Sequence, residues 1–165
     1  MYDNLKNMKQ LLFVCLGNIC RSPAAEEIMR QIIDSDPQLI GHYEVDSAGI
    51  GNWHEGQLPD HRMREHGAKR GYDFHSRARQ IHSDDFDRYD LVFGMDNNNM
   101  DDLRSLARND VDRKKLRCLA DYMTGHPDYK TIPDPYYGQP KDFERALDLI
   151  EDACTGLAEQ LKKEQ

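Results

Sequence analysis

The chain has 165 residues and a formal net charge of −8 at pH 7, from 22 Lys and Arg against 30 Asp and Glu. This length suits one domain, which we place at residues 9–165 after an N-terminal extension at 1–8. The acidic balance argues against nucleic acid as a partner, since nucleic-acid-binding proteins present a basic face. No segment approaches the roughly 18 apolar residues of a membrane helix, and the polar start MYDNLKNMKQ lacks the apolar stretch of a signal peptide. We therefore expect a cytoplasmic protein without membrane insertion.

Strand-like and helix-like segments alternate along the chain. An apolar run at 11–14 predicts the first strand, and apolar residues three and four apart predict a helix at 23–34, with Ser22 as N-cap and Pro23 as first residue. This alternation is typical of an α/β fold with a parallel sheet and helices on both faces. The other predicted elements are strands at 42–46, 78–81, 90–95 and 116–119, and helices at 58–69, 98–107 and 142–162.

The loop after the first strand has the composition of an anion-binding site with a nucleophile at its base. Ligands of parallel sheets bind at the carboxyl ends of strands, and a helix N-terminus favours an anion through its free N–H groups and its dipole. Cys15 is expected to attack phosphorus as a thiolate, and the planar guanidinium of Arg21 to bind two phosphate oxygens. The predicted phosphate-binding residues are Leu16, Gly17, Asn18, Ile19, Cys20, Arg21 and Ser22.

The spacing of this cysteine and arginine is weak evidence when taken alone. The same pattern arises by chance around a buried thiol at a strand end, and that interpretation of Cys15 is the alternative. Three features favour a functional site, namely the predicted strand before the loop, the helix start at Ser22 and Pro23 after it, and the pair of Gly17 and Asn18 within it. Gly17 permits tight curvature and Asn18 can hold a strained turn by a local hydrogen bond, while the Ser22 hydroxyl can donate to the thiolate.

A candidate general acid lies between two prolines. Pro133 and Pro135 restrict the backbone and so fix the direction of the Asp134 carboxyl group, although Pro-Asp-Pro also suits an ordinary turn. As a general acid, Asp134 would protonate the leaving alcohol or phenol and then take a proton from the water that hydrolyses the phosphocysteine. Three aromatic residues are placed at the mouth of the pocket, where they would suit an aryl phosphate: Trp53, Tyr136 and Tyr137.

The cysteines indicate neither a disulfide scaffold nor a metal site. Four cysteines in a chain of this length are too few for a disulfide-stapled fold, and they lack the short paired spacing of zinc ligands. We therefore expect no metal and no cofactor. Cys154 falls on the apolar stripe of the last helix and Cys118 in the last strand, so both are predicted to be core residues.

Five parts of the chain closely resemble the low molecular weight protein tyrosine phosphatases, in the order found in that family. The resemblance implies a four-stranded parallel sheet flanked by helices and metal-independent hydrolysis of phosphotyrosine. The matching segments are VCLGNICRSPAAE at 14–26, VDSAG at 45–49 with GNWH at 51–54, ARQI at 78–81, MD at 95–96 and DPYYG at 134–138.

The resemblance also implies a role for each matching residue. Cys15 would be the nucleophile, Arg21 the phosphate binder and Asp134 the general acid. A hydrogen-bond network bracing the loop would include Asn18, Ser22 and Ser47, and the substrate cleft would be lined by Leu16, Trp53 and Tyr136.

The chain departs from this family at one position of the network. The family usually carries a histidine two residues before Ala-Arg-Gln, where this chain has Ser76, and the histidine stands one place earlier as His75. Either the backbone shifts to bring His75 inward or Ser76 replaces it. We expect that Ser76 or a water molecule bonds Asn18.

Three alternatives follow from the same resemblance. Related arsenate reductases carry a redox cysteine pair in mid-chain, but residues 82–96 contain no cysteine. Protein arginine phosphatases carry threonine where this chain has Ile19, whose bulky apolar side chain favours an aryl phosphate over phosphoarginine. A phosphotyrosine-binding module without catalysis is the third alternative, and nothing in the sequence supports it.

The resemblance also bears on regulation and partners. We expect peroxide to drive a disulfide between Cys15 and Cys20 that protects the nucleophile, the alternative being that Cys20 is a small packing residue. The substrate is expected to be a phosphotyrosine-containing protein. The segment at 51–54 resembles bacterial members, which by analogy suggests a cognate tyrosine kinase.

Overall fold

The computed structural model describes residues 8–165, so the predicted extension at 1–8 lies almost entirely outside the described residues. It shows one four-stranded parallel sheet in the order β2-β1-β3-β4. The predicted α/β fold is therefore confirmed. The strands are β1 at Lys9–Cys15, β2 at Tyr43–Gly49, β3 at Leu91–Gly94 and β4 at Leu116–Cys118.

Six α-helices occur in the described part of the chain. None of them is long and apolar enough to cross a membrane. They are α1 at Arg21–Asp34, α2 at His61–Ala68, α3 at Asp85–Arg88, α4 at Asn97–Leu106, α5 at Asp110–Arg113 and α6 at Pro140–Lys163, with a 3₁₀ turn at Leu119–Tyr122.

The central strand β1 is buried on both faces because successive side chains point to opposite sides of the sheet. Leu11 and Phe13 belong to the larger core cluster, which includes the inner faces of α1 and α6. Leu12 and Val14 belong to the second cluster, on the opposite face, which includes Leu103 of α4. The helices on the two faces thus fix β1, and Cys15 at its carboxyl end, in a rigid position.

Two sequence predictions at element boundaries were wrong. Residues 78–81 do not form a strand, because only Gln80 makes an isolated bridge to Gly49. Helix α1 begins at Arg21 with Cys20 as its N-cap, two residues before the predicted start. Ser22 does not cap this helix, since its hydroxyl is held by side chains of the loop.

Cys154 and Cys118 lie outside the loop of the nucleophile and differ in burial. Cys154 is fully buried on the inner face of α6, which confirms the prediction for that residue. Cys118 is only half buried, at the end of β4, because β4 is an edge strand of the sheet.

Candidate active site

The predicted cleft residues surround one pocket of about 310 Å³ at the carboxyl end of the sheet. Cys15 lies at its base, almost completely buried, and Trp53 stands at its rim with 65% of its surface exposed. His54 also lines this pocket, and the sequence analysis did not select it. The lining residues are Cys15, Leu16, Gly17, Ile19, Cys20, Trp53, His54, Asp134, Tyr136 and Tyr137.

The loop between β1 and α1 is held in a strained conformation by Asn18. Its backbone φ is 59°, in the left-handed region that asparagine tolerates better than most side chains. The Asn18 side chain donates through Nδ2 to Ser22 Oγ at 2.8 Å and to Ser47 Oγ at 3.0 Å. Its Oδ1 accepts from the backbone N–H of Arg79 at 3.0 Å. These contacts bring together the three residues predicted to support the loop.

The expected replacement of the family histidine by Ser76 does not match this geometry. Neither His75 nor Ser76 is among the partners of Asn18, and the backbone N–H of Arg79 donates to its acceptor oxygen instead. The His75 side chain is 64% exposed and its Nδ1 lies 2.9 Å from the carbonyl oxygen of Asp73. The displaced histidine is therefore a surface residue in this chain.

Ser22 connects the network to the nucleophile. Its Oγ lies 3.0 Å from Cys15 Sγ and 3.3 Å from the carbonyl oxygen of Ala48. A serine hydroxyl has one hydrogen, so it can donate to only one of these acceptors at a time. When Cys15 is a thiolate, the charged sulfur is the stronger acceptor.

Arg21 is 1% exposed, and its guanidinium is held by several partners. Its Nη1 donates to Asp96 Oδ2 at 2.6 Å and to the carbonyl oxygen of Ile132 at 2.8 Å, and its Nη2 lies 3.5 Å from Asp134 Oδ2. Burial lowers the pKa of Arg21, but Cys15 and the two carboxylates raise it, and the net shift is upward. The guanidinium is thus a fixed positive charge beside the thiol.

One donor of Arg21 has no partner. The Nε atom is the only buried side-chain nitrogen or oxygen within residues 8–165 that makes no hydrogen bond. An unpaired buried donor costs about 1–3 kcal/mol, and a catalytic role or a bound ion is among the explanations of such an exception. An anion held by the Cys15 loop would supply the missing acceptor.

The loop that carries Asp134 is fastened to the loop of the nucleophile. The backbone N–H of Tyr136 donates to Asp134 Oδ1 at 3.1 Å, and Arg62 donates to the Tyr136 carbonyl oxygen at 2.9 Å. Arg62 is also paired with Asp60 at 2.9 Å, and the Asp60 backbone N–H donates to the Ile19 carbonyl oxygen at 2.7 Å. Asp134 therefore has a defined position over the pocket.

Three residues important to this geometry were not selected from the sequence. Asp96 fixes Arg21 and also caps α4 through the Asn99 N–H at 2.8 Å, and its place directly after the third strand was the available signal. Arg62 has no local signal, because its partner Tyr136 lies 74 residues away. Glu26 looked like an ordinary helix residue but is buried.

Comparisons with known proteins identify the family of this chain. Residues 10–165 match the family model of the low molecular weight phosphotyrosine protein phosphatases. Low molecular weight protein-tyrosine-phosphatases from Streptomyces coelicolor and Bacillus subtilis are 40% and 39% identical to the chain. The first alignment covers 94% of both chains, and the second covers 96% of this chain and 99% of the relative. The crystal structure of a protein tyrosine phosphatase from Entamoeba histolytica, with Hepes in its active site, superposes with a TM-score of 0.89 at 43% identity. That match covers 94% of this chain and 97% of the other.

Proposed function

Because the chain belongs to the low molecular weight phosphotyrosine protein phosphatase family, it is a protein tyrosine phosphatase, and we propose that Cys15, Arg21 and Asp134 perform its reaction. The observation that carries this assignment is the buried Arg21 guanidinium. It lies beside the thiol, is fixed by Asp96 and has an unpaired donor. Hepes, which carries an anionic sulfonate group, occupies the active site of the Entamoeba histolytica relative, which supports an anion-binding role for this loop.

In the first step, the Cys15 thiolate attacks phosphorus, and the sulfur–phosphorus bond forms as the bond to the phenolic oxygen breaks. The proton of the Asp134 carboxyl group goes to that oxygen, so tyrosine leaves as a neutral phenol. Arg21 and the backbone N–H groups of the loop stabilise the charge on the phosphoryl oxygens. The fixed loop needs little rearrangement during this step.

In the second step, water attacks the phosphocysteine and the sulfur–phosphorus bond breaks. Asp134, now a carboxylate, takes the proton of that water. The sulfur leaves as a thiolate and accepts a hydrogen bond from the Ser22 hydroxyl, whose oxygen lies 3.0 Å away. Ser22 thereby makes the sulfur a better leaving group.

The walls of the pocket favour an aryl phosphate. Leu16, Trp53 and Tyr136 present apolar or aromatic surface around Cys15, which can pack against the ring of phosphotyrosine. Ile19 also lines the pocket and offers no polar group to the guanidinium of phosphoarginine.

We expect this difference to appear in turnover. With a metal chelator present, a phosphotyrosine peptide should have a kcat/KM at least about tenfold above that of the matched phosphoarginine peptide, since an apolar pocket leaves the guanidinium nitrogens unpaired. Equal or higher kcat/KM for phosphoarginine would keep the role of Cys15 and overturn the assigned substrate.

We also propose that Cys20 protects Cys15 from oxidation. Peroxide converts the Cys15 thiolate to a sulfenic acid, and Cys20 sulfur then displaces the hydroxyl group as water, forming a disulfide. Burial and the neighbouring Cys15 raise the pKa of the Cys20 thiol above its usual value. Before oxidation Cys20 is therefore protonated and does not compete with Cys15 as the nucleophile, and its proton leaves with the hydroxyl group of the sulfenic acid as water when the disulfide forms.

The expected result of a Cys20→Ser substitution is normal turnover before oxidation and poor recovery after it. Treatment with peroxide and then with a dithiol should restore most activity in the wild type. The variant should regain less than about a tenth, because its sulfenic acid proceeds to irreversible forms. Cys118→Ser is the matched control. Equal recovery in Cys20→Ser and in this control would refute a protective disulfide.

For the partners, we propose a tyrosine-phosphorylated protein and the tyrosine kinase that modifies it.

All four cysteines are free, and the mechanism requires Cys15 in its reduced form. A reducing compartment such as the cytoplasm preserves that state. Retention of the protein in a cytoplasmic fraction would support this location.

A further inference from the structure

The segment that carries Asp134 accepts one hydrogen bond from another part of the described chain. Arg62 Nη2 donates to the Tyr136 carbonyl oxygen at 2.9 Å. Within residues 8–165, the other hydrogen bonds of segment 133–138 join its own residues. The direction of the Asp134 carboxyl group therefore depends on a contact that Arg62 makes two residues farther along the segment.

An ion pair also joins this segment to the loop of the nucleophile. Arg21 Nη2 lies 3.5 Å from Asp134 Oδ2. In the first step, however, Asp134 is the proton donor and carries no charge, and Arg21 binds the phosphoryl oxygens. The attraction between these two side chains is therefore lost when the acid is needed, whereas the hydrogen bond from Arg62 to the Tyr136 carbonyl oxygen is independent of both.

Arg62 is itself fixed by Asp60. The Asp60 carboxylate accepts from Arg62 Nε at 3.1 Å and from Nη2 at 2.9 Å, and the Asp60 backbone N–H donates to the Ile19 carbonyl oxygen at 2.7 Å. Burial raises the pKa of Asp60, but the hydrogen bonds from Arg62 lower it, and the net shift is downward. The pair is therefore charged at neutral pH, and it connects the loop of the nucleophile to the segment of the acid.

Two aromatic rings also contact the guanidinium of Arg62. Its central carbon lies 5.4 Å from the centroid of the Tyr136 ring and 4.7 Å from that of Phe143, within the range of a cation–π contact. Phe143 is 1% exposed and belongs to the buried face of α6. Arg62 thus contacts both the carbonyl group and the ring of Tyr136, and it rests on a core residue.

We propose that Arg62 is a positioning residue for the general acid and holds segment 133–138 so that the Asp134 carboxyl group reaches the phenolic oxygen. This inference rests on the proposed roles of Cys15 and Asp134. Arg62 does not line the pocket, so it acts through Asp134 and not on the substrate. Loss of Arg62 should therefore affect the transfer of the proton more than the attack on phosphorus.

Arg62→Gln is the test, and Arg64→Gln is its matched control. Both arginines lie in the first turn of α2 and each donates to a backbone carbonyl oxygen, but the partner of Arg64 is Pro59, at 2.9 Å. The substrates are phenyl phosphate and para-nitrophenyl phosphate, which are similar in size. Phenolate leaves poorly without a proton, whereas para-nitrophenolate leaves without one. The ratio of their kcat/KM values therefore reports protonation of the leaving group.

In Arg62→Gln, kcat/KM for phenyl phosphate should fall about tenfold, which is part of the roughly 10²–10⁴-fold effect of a positioned acid. The value for para-nitrophenyl phosphate should fall less than about threefold, because that leaving group does not need the proton. Arg64→Gln should keep both values within about twofold of the wild type. Equal losses on the two substrates in Arg62→Gln, or no loss on phenyl phosphate, would overturn the proposal.

A double variant tests whether Arg62 acts through Asp134. In the Asp134→Asn background no proton donor remains to be positioned, so adding Arg62→Gln should change kcat/KM for phenyl phosphate by less than about twofold. A further loss of about tenfold would mean that Arg62 acts by another route, and it would contradict the proposal.

Asp60→Asn provides a second route if Arg62→Gln folds poorly. Asp60 caps α2 through the Arg62 N–H at 2.8 Å, and asparagine is an equally favoured N-cap. Its neutral amide offers Arg62 a single, weaker acceptor. The loss should again be larger for phenyl phosphate than for para-nitrophenyl phosphate, and equal losses would overturn the proposal. Failure of the proposed function is recognised separately, since Asp134→Asn alone would then leave the two kcat/KM values in their wild-type ratio.

Discussion

A Cys15→Ser variant is expected to lose hydrolysis of para-nitrophenyl phosphate by about four orders of magnitude or more. Serine keeps the size of the side chain and its contact with Ser22, but at neutral pH a hydroxyl is not ionised and does not attack phosphorus here. The loss should appear in kcat under metal-chelating conditions. Binding of inorganic phosphate, measured by calorimetry, should persist because the loop and Arg21 are intact.

The control for this variant is Cys118→Ser, at the half-buried end of β4. It should retain turnover within about twofold, since Cys118 does not line the pocket. Substantial residual activity in folded Cys15→Ser would mean that another group attacks phosphorus. Loss of phosphate binding together with activity would instead show that the variant loop is damaged.

The second large effect is expected for Asp134→Asn. An amide can neither protonate the phenolic oxygen nor take a proton from water, so kcat for a phosphotyrosine peptide should fall by about 10²–10⁴. The loss in kcat/KM, which reports formation of the phosphocysteine, should be smaller for para-nitrophenyl phosphate, because para-nitrophenolate leaves without protonation. Comparing kcat/KM on the two substrates therefore isolates protonation of the leaving group, since hydrolysis of the phosphocysteine is common to both.

Asp128→Asn is the control for this substitution. Asp128 is exposed and lies in the same connection before α6, so both kcat values should stay within about twofold of the wild type. A uniform loss on both substrates would assign Asp134 to binding or to the second step alone. No loss on the phosphotyrosine peptide would transfer the acid role to another residue.

The parts of the site that depend on local sequence were predictable. The apolar run before Cys15 indicated the central strand, and the helix after it placed an anion site at the same edge of the sheet. Arg21 and Asp134 could be selected because phosphoryl transfer needs a phosphate-binding guanidinium and a proton donor, although neither local pattern was specific on its own. The alternation of elements indicated a parallel sheet, and the resemblance to the family implied its four strands.

The errors arose where tertiary partners override local preference. Ser22 before Pro23 is a typical N-cap sequence, but its hydroxyl bonds Asn18 and lies against Cys15, which local sequence does not show. Ala78 and Ile81 are apolar, so the sequence of their segment resembled a strand. Both side chains are buried, but the segment makes only a single bridge to the sheet. Burial alone does not establish strand pairing.

The partner that replaces the family histidine at Asn18 also could not be predicted from local sequence. The departure at Ser76 was visible in the sequence, but the solution was not, because the partners of Asn18 are 61 residues away at Arg79 and 29 residues away at Ser47. Glu26 and Arg30 form an ion pair at 2.6 Å on α1, with the four-residue spacing of an ordinary surface pair. Only the burial of Glu26 against Ser47 gives this pair a connection to the active site.

The most direct test of the central claim is to find the phosphoryl group on the protein. The wild type is mixed with a phosphotyrosine peptide, denatured within milliseconds and analysed by peptide mass spectrometry, with Cys15→Ser treated in parallel. One phosphoryl group on the wild-type peptide that contains Cys15, and none on the variant, is the predicted result. A phosphoryl group on another residue, or turnover with no phosphorylated protein at any time, would contradict nucleophilic catalysis by Cys15.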